Sequence, residues 1–145
     1  AYEMLRSLVG SEMCIRDSLD RIDLHIEVPA VRYADLVSAE RGESSAAIRE
    51  RVVNARRIQQ ERFRGLPRVT CNAAMRASQT QKFCRPTPEA QEFLRMAIQE
   101  LHFSARAYDR ILKVARTIAD LAGADHVEGL HVQEAIQYRL LDREV

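Results

Sequence analysis

SARAYDRILKVARTIADLAG, residues 104–123, is the stretch whose reading decides the fold. Its apolar residues fall at Ala107, Tyr108, Ile111, Leu112, Ala115, Ile118 and Ala122, the spacing of one buried helix face. Ser104 is placed to cap the first turn through its hydroxyl, and Gly123 suits the left-handed turn that closes a helix. Arg106, Arg110 and Lys113 form a second stripe at intervals of four and three. Arg106 falls at about the second helical position, where the macrodipole and the free N–H groups already present positive charge. A cation there is disfavoured by roughly 0.3–1 kcal/mol unless a negative group joins it. A phosphate would supply that charge, because helix N-termini hold anions readily. On charge pattern alone the simpler reading is a solvated arginine offset by Asp109.

Helical signals extend to both sides. Upstream, Thr87 is a cap and Pro88 the first helical residue, with Ala90, Phe93, Leu94, Ala97, Ile98 and Leu101 on the inner face and Met96 at the core edge. Downstream, Val132, Ala135, Ile136 and Leu140 mark a final helix, with Val127 and Leu130 expected to pack ahead of it. His126 and His131 are too isolated for a metal site, so loop and helix-start roles are expected. Further upstream, Ser44 caps a helix whose apolar side is Ala47, Ile48, Val52, Ala55, Gln59 and Phe63. Arg49, Arg51, Arg56, Arg57, Arg62 and Arg64 decorate the rest of this helix, diluted by Glu50 and Glu61. Such a face could track a phosphate backbone, yet it lacks the interleaved aromatics of a single-strand surface, and a solvated face is the expectation. Gly65 and Pro67 stop the helix. The connection over residues 68–85 is long for a compact bundle, and reads as a short helix or a functional loop.

The beginning of the chain is of another kind. In LDRIDLHIEVP, residues 19–29, Ile22, Leu24, Ile26 and Val28 alternate with Asp23, His25 and Glu27, which is strand periodicity ended by Pro29. One strand cannot pair with itself, so it is expected to be disordered or to add to a neighbouring chain. Asp20, Arg21 and Asp23 stand at its mouth, where a loop salt bridge is the plain structural role; His25 reads as a strand-surface residue rather than a ligand. Residues 31–43 read as a loop with one turn near Tyr33. Residues 1–18, AYEMLRSLVGSEMCIRDS, resemble translated sequencing-adapter read-through. They are expected to be non-native and disordered, and are set aside together with Cys14. The native frame is then expected to start near Leu19, and the chain to be the C-terminal end of a longer protein.

Composition bounds the rest. The chain has 145 residues, enough for one domain with its own core. Its 46% hydrophobic and 6% aromatic content without Trp suits a helical bundle filled by Leu, Ile, Val and Ala. A net charge of +1 excludes an overall field toward nucleic acid or membrane. Arg greatly outnumbers Lys among the 22 basic residues, which fits planar, bidentate partners. No apolar run approaches membrane-spanning length, and no secretory signal is visible. Three cysteines without metal-ligand spacing read as reduced thiols of a cytoplasmic protein. The expected fold class is therefore mainly α, a small helical bundle over residues 44–145, preceded over residues 19–43 by one orphan strand and a loop.

LDRIDLHIEVP, ESSAAIRERVVNARRIQQERF, NAAM, SARAYDRILKVARTIADLAG and HVQEAIQYRLLDR together resemble the C-terminal part of Mg-chelatase-like AAA+ ATPases, in their bacterial ComM/YifB-type branch. The likeness runs over residues 19–143, with the motifs in the family's order. It implies that the bundle is the helical lid of a ring-forming, ATP-driven motor, and that the strand belongs to a truncated α/β core. It implies an arginine finger at Arg21, inserted into the next subunit's site, and a sensor-2 residue at Arg106 that touches the γ-phosphate. Arg110 and Lys113, one and two turns further on, are placed to help hold phosphate or the adjacent subunit. The implied cofactor is ATP with Mg²⁺ in the intact parent. The implied partners are neighbouring subunits of a homo-oligomeric ring, expected to be a hexamer, with DNA an open partner and no membrane. The parent is expected to remodel DNA in competence and recombination; the alternative parent is a magnesium chelatase motor subunit. No GxxxxGK[ST] phosphate loop and no acidic Walker B strand occurs in these residues, so ATP turnover is not expected of this chain alone. The residues by themselves also leave open a nucleic-acid-binding helical module and a protein-interaction bundle without nucleotide.

Overall fold

The computed structural model describes residues 21–31, 33, 37 and 42–139. The adapter-like start, Asp20, the turn across 34–36 and Leu140 lie outside the described residues. The described elements are helical: α1 (Ser45–Arg62), a 3-10 turn (Asn72–Ala74), α2 (Ala77–Phe83), α3 (Pro88–Leu101), α4 (Ala105–Leu121) and α5 (Gly129–Gln137). The long connection thus contains both the short helix and irregular chain.

Local chemistry sets the helix ends. The hydroxyls of Ser44, Thr87 and Ser104 accept from the backbone N–H groups of Ala47, Ala90 and Ala107, at 3.3, 3.3 and 3.1 Å. Pro88 opens α3 where its missing N–H is harmless. His131 fills the expected helix-start role, its Nδ1 accepting from the Glu128 backbone N–H at 3.0 Å. Gly123, at φ 69°, takes the left-handed turn after α4, and Ala124 N–H then reaches the Ala119 carbonyl at 2.8 Å.

α4 is the central element, packed against α1, α2 and α5, while α3 packs on α5. Ile111, Leu112, Ala115 and Ala119 are buried among Leu94, Val127, Val132 and Ala135, with Phe63, Met75 and Cys84 closing the core. Phe63 and Phe83 meet edge to face, with ring centroids 5.5 Å apart. The chain between α4 and α5 is tied to the start of α3 by Thr87 N–H donating to Val127 carbonyl at 2.9 Å.

Several expectations need correction. No strand forms over Ile22–Val28, because a ladder needs a neighbour and none is present among the described residues. His25 is buried rather than a surface residue, and its N–H donates to the Tyr138 carbonyl at 2.7 Å. Leu130 does not pack ahead of α5 but is 74% exposed. On α4 the buried stripe is rotated slightly, so Tyr108 and Ala122 face solvent while Ala119 and Arg116 are buried. On α1 the stripe is covered only from Ala55 onward; Ala47, Ile48 and Val52 remain exposed.

Candidate functional site

The N-terminal half of α4 faces α2 and the 3-10 turn across an open cleft. Ala73, Ala77 and Gln81 line one wall, and Ala105, Arg106, Asp109, Arg110, Leu112 and Lys113 the other, with Asp23 at the rim. The small side chains on the first wall leave room, and the long cations on the second reach into it. Arg106 sits at the second residue of α4 and is exposed. Arg110, one turn further, is paired with Asp23, and the Lys113 ammonium lies 3.3 Å from Asp109. Three cations against two carboxylates leave the cleft a net single positive charge. Its chemistry is therefore that of an anion site whose cations are already partly neutralised. Arg106 and Arg110 are thus brought together in one cleft. Arg21 is exposed and does not line it.

Towards its C-terminal end α4 is fixed by a buried polar cluster. Asp120 accepts from Arg62 Nη1 at 2.7 Å and pairs also with Arg62 Nη2. It accepts from Arg116 Nε at 3.0 Å and from Asn72 Nδ2 at 2.8 Å. Asn72 Nδ2 also donates to Thr117 Oγ1 at 3.0 Å, and its backbone N–H donates to Gln59 Oε1 at 3.2 Å. Arg116 spends its remaining donors on the carbonyls of Ala124 and Asp125, which belong to the turn after Gly123. One carboxylate thus joins α1, the 3-10 turn and α4. Sequence reasoning missed this cluster. Asn72 in NAAM was its one outward signal, and two of the three residues that answer Asp120, Asn72 and Arg62, lie 48 and 58 residues from it in the chain.

The two described cysteines behave oppositely. Burial pushes the Cys84 thiol up to about 12. At Cys71 burial also opposes the thiolate, but the Ala74 N–H and Arg56 outweigh it, and the thiol lies below its ordinary range. Among the described residues no group of three His, Cys, Asp or Glu side chains could hold a metal ion. Among them also no helix is long and apolar enough to cross a membrane.

Comparison with known proteins gives this geometry a context. The family model "Magnesium chelatase, subunit ChlI C-terminal" matches residues 42–139. The chain is 41% identical over 126 residues to the competence protein ComM of Haemophilus influenzae, covering 86% of this chain and 24% of that protein. Similarity of the same extent links it to the uncharacterized YifB proteins of Salmonella typhimurium, at 40% identity, and Escherichia coli, at 39%. The chain therefore spans about a quarter of the length of these curated relatives.

Proposed function

The chain belongs to the magnesium chelatase ChlI C-terminal family, and from that premise we propose that it serves as the helical lid of an AAA+ ATP-driven motor. The supporting observation is the cleft at the start of α4, in which Arg106 and Arg110 converge at a helix N-terminus. In this reading Arg106 is the sensor-2 arginine. Its planar guanidinium binds oxygens of the γ-phosphate, and the helix N-terminus adds its own positive potential. Arg110 lies one turn along to hold the same phosphate, and Arg21 serves the neighbouring subunit's site in trans as the arginine finger. Phosphoryl transfer spreads charge over the γ-phosphoryl oxygens, which is why guanidinium groups suit both tasks.

The residues present fit one end of a nucleotide. Cations line the cleft, but the phosphate loop and Walker B acid that would cradle ATP and hold Mg²⁺ do not occur in these 145 residues. The lid supplies phosphate contacts and motion, and the remaining walls of the site belong to other parts of the longer protein and its ring neighbours. ATP turnover would then move α4, and with it the bundle fixed to α4 through Asp120.

In the full-length parent, Arg106→Ala should lower ATP turnover about ten- to a hundredfold, the loss of one charge-assisted phosphate contact, while the assembly size on a sizing column stays unchanged. Arg21→Ala should cost roughly 10³–10⁵ in rate, and a mixture with Arg106→Ala subunits should show whether Arg21 acts across subunits. Wild-type turnover in Arg106→Ala would remove the residue from the site. The Haemophilus relative is named a competence protein, and in this reading the parent remodels DNA in competence and recombination. A second reading, nucleic-acid binding by α1, draws on its exposed Arg49, Arg51, Arg56 and Arg57. It requires a gel shift that weakens steeply with salt and on Arg56→Ala/Arg57→Ala.

A further inference from the structure

The cleft already contains an anion of the chain's own. Asp23 pairs with Arg110 across a sequence separation of 87 residues, and it belongs to segment 21–28, which also carries Arg21. The hydrogen bonds that hold that segment against the end of α5 include His25 N–H to the Tyr138 carbonyl at 2.7 Å and Arg139 Nη1 to the Ile22 carbonyl at 2.6 Å. Its apolar side chains are only partly covered: Ile22 and Leu24 are about half exposed, and Ile26 and Val28 mostly so. The Asp23 side chain is half exposed, and an ion pair of that kind changes an equilibrium by only about two- to fivefold. A polyphosphate brings several charges and can engage Arg106 and Arg110 together, so it displaces a single carboxylate.

We propose that Asp23 is the resident competitor of this cleft: a polyphosphate that binds Arg106 and Arg110 expels Asp23 from Arg110 and loosens segment 21–28. The inference rests on the phosphate reading of the cleft and adds a consequence to it. The occupant of the cleft governs the freedom of the segment bearing the arginine that reaches toward a neighbour. Coupling of this kind is reciprocal, so whatever frees the segment tightens polyphosphate binding by the same factor.

The test uses the 145-residue chain, with sodium tripolyphosphate as the probe and sodium chloride at matched ionic strength as the control. Its two readouts are tripolyphosphate affinity by calorimetry and hydrogen exchange at the His25 amide. Tripolyphosphate should speed that exchange. Asp23→Asn should speed it about two- to fivefold without tripolyphosphate, and should bind tripolyphosphate about two- to fivefold more tightly. Arg110→Gln should also loosen the segment but weaken binding, and a general loss of structure would not move binding in opposite directions in two variants that both loosen the segment. If binding occurs and depends on Arg106, while Asp23→Asn leaves affinity and exchange at wild-type values, the competitor role is wrong and the phosphate site survives. If neither wild type nor Asp23→Asn shows binding sensitive to Arg106→Gln, the phosphate reading itself fails and the inference falls with it.

Discussion

At the scale of single residues, Asp120 matters most to the fold. It is nearly inaccessible and answers two guanidinium groups and one amide, so removing it leaves Arg116 as an uncompensated buried cation. Breaking such a pair costs about 3–5 kcal/mol. Asp120→Ala should therefore lower the urea midpoint by that equivalent, or leave the chain unfolded at room temperature. Asp120→Asn keeps the acceptor toward one arginine and should cost less. The cysteines give a second prediction. Native protein treated with a thiol reagent near neutral pH should be modified at Cys71 and spared at Cys84, read by peptide mapping. Because folding raises the Cys84 pKa to about 12, its stabilising share is complete below the unfolded value near 9 and disappears as pH climbs toward 12. The stability gap between wild type and Cys84→Ala should narrow over that interval.

At the scale of elements, what the sequence announced and what it concealed divide by range. Ser104, Thr87 with Pro88, and Ser44 are local devices, and each cap formed where its residue stood. Ser104→Ala should cost about 1 kcal/mol, measured as a shift in urea midpoint. The inner face of α4 was legible at Ile111, Leu112 and Ala115 because an apolar period needs only the helix itself. Arg116 was not, since a charged residue one position from that stripe is assigned to water unless its partner is known. The partner, Asp120, is on the same helix, but the burial of both depends on Arg62 and Asn72, brought in by folding. For the candidate site, Arg106 and Arg110 were readable as one stripe, whereas the Asp23 partner of Arg110 was hidden by distance along the chain. α1 shows the reverse error. Its apolar stripe is continuous in sequence, yet nothing among the described residues covers Ile48 or Val52. Val52→Asp should thus leave the urea midpoint of this chain nearly unchanged, within about 0.5 kcal/mol, while Ala55→Asp should lower it by several.

At the scale of the whole molecule, the fold class follows from the five helices of the described residues, packed around one core with no strand among them. Segment 21–28 carries strand periodicity but forms no ladder, because no strand among the described residues offers it a partner. The chain corresponds to about a quarter of its relatives' length, and the phosphate-cradling motif of an ATPase is not in its 145 residues. Purified alone, it should release no phosphate from ATP above buffer in a coupled assay, and salt-resistant turnover would contradict the lid reading.

The carboxylate that joins α1 to α4 has a mechanical side. Arg106 and Asp120 stand at opposite ends of one helix, about 21 Å apart at the rise of an α-helix. Packed along its buried face at Ile111, Leu112, Ala115 and Ala119 and tied to α1 at Asp120, that helix turns as one rod with the bundle. A tilt of about 10° delivered through Arg62 would sweep the guanidinium tip by roughly 4 Å, the difference between touching an oxygen and missing it. A rotation of α1 that α4 follows would thus be read out, enlarged, at Arg106.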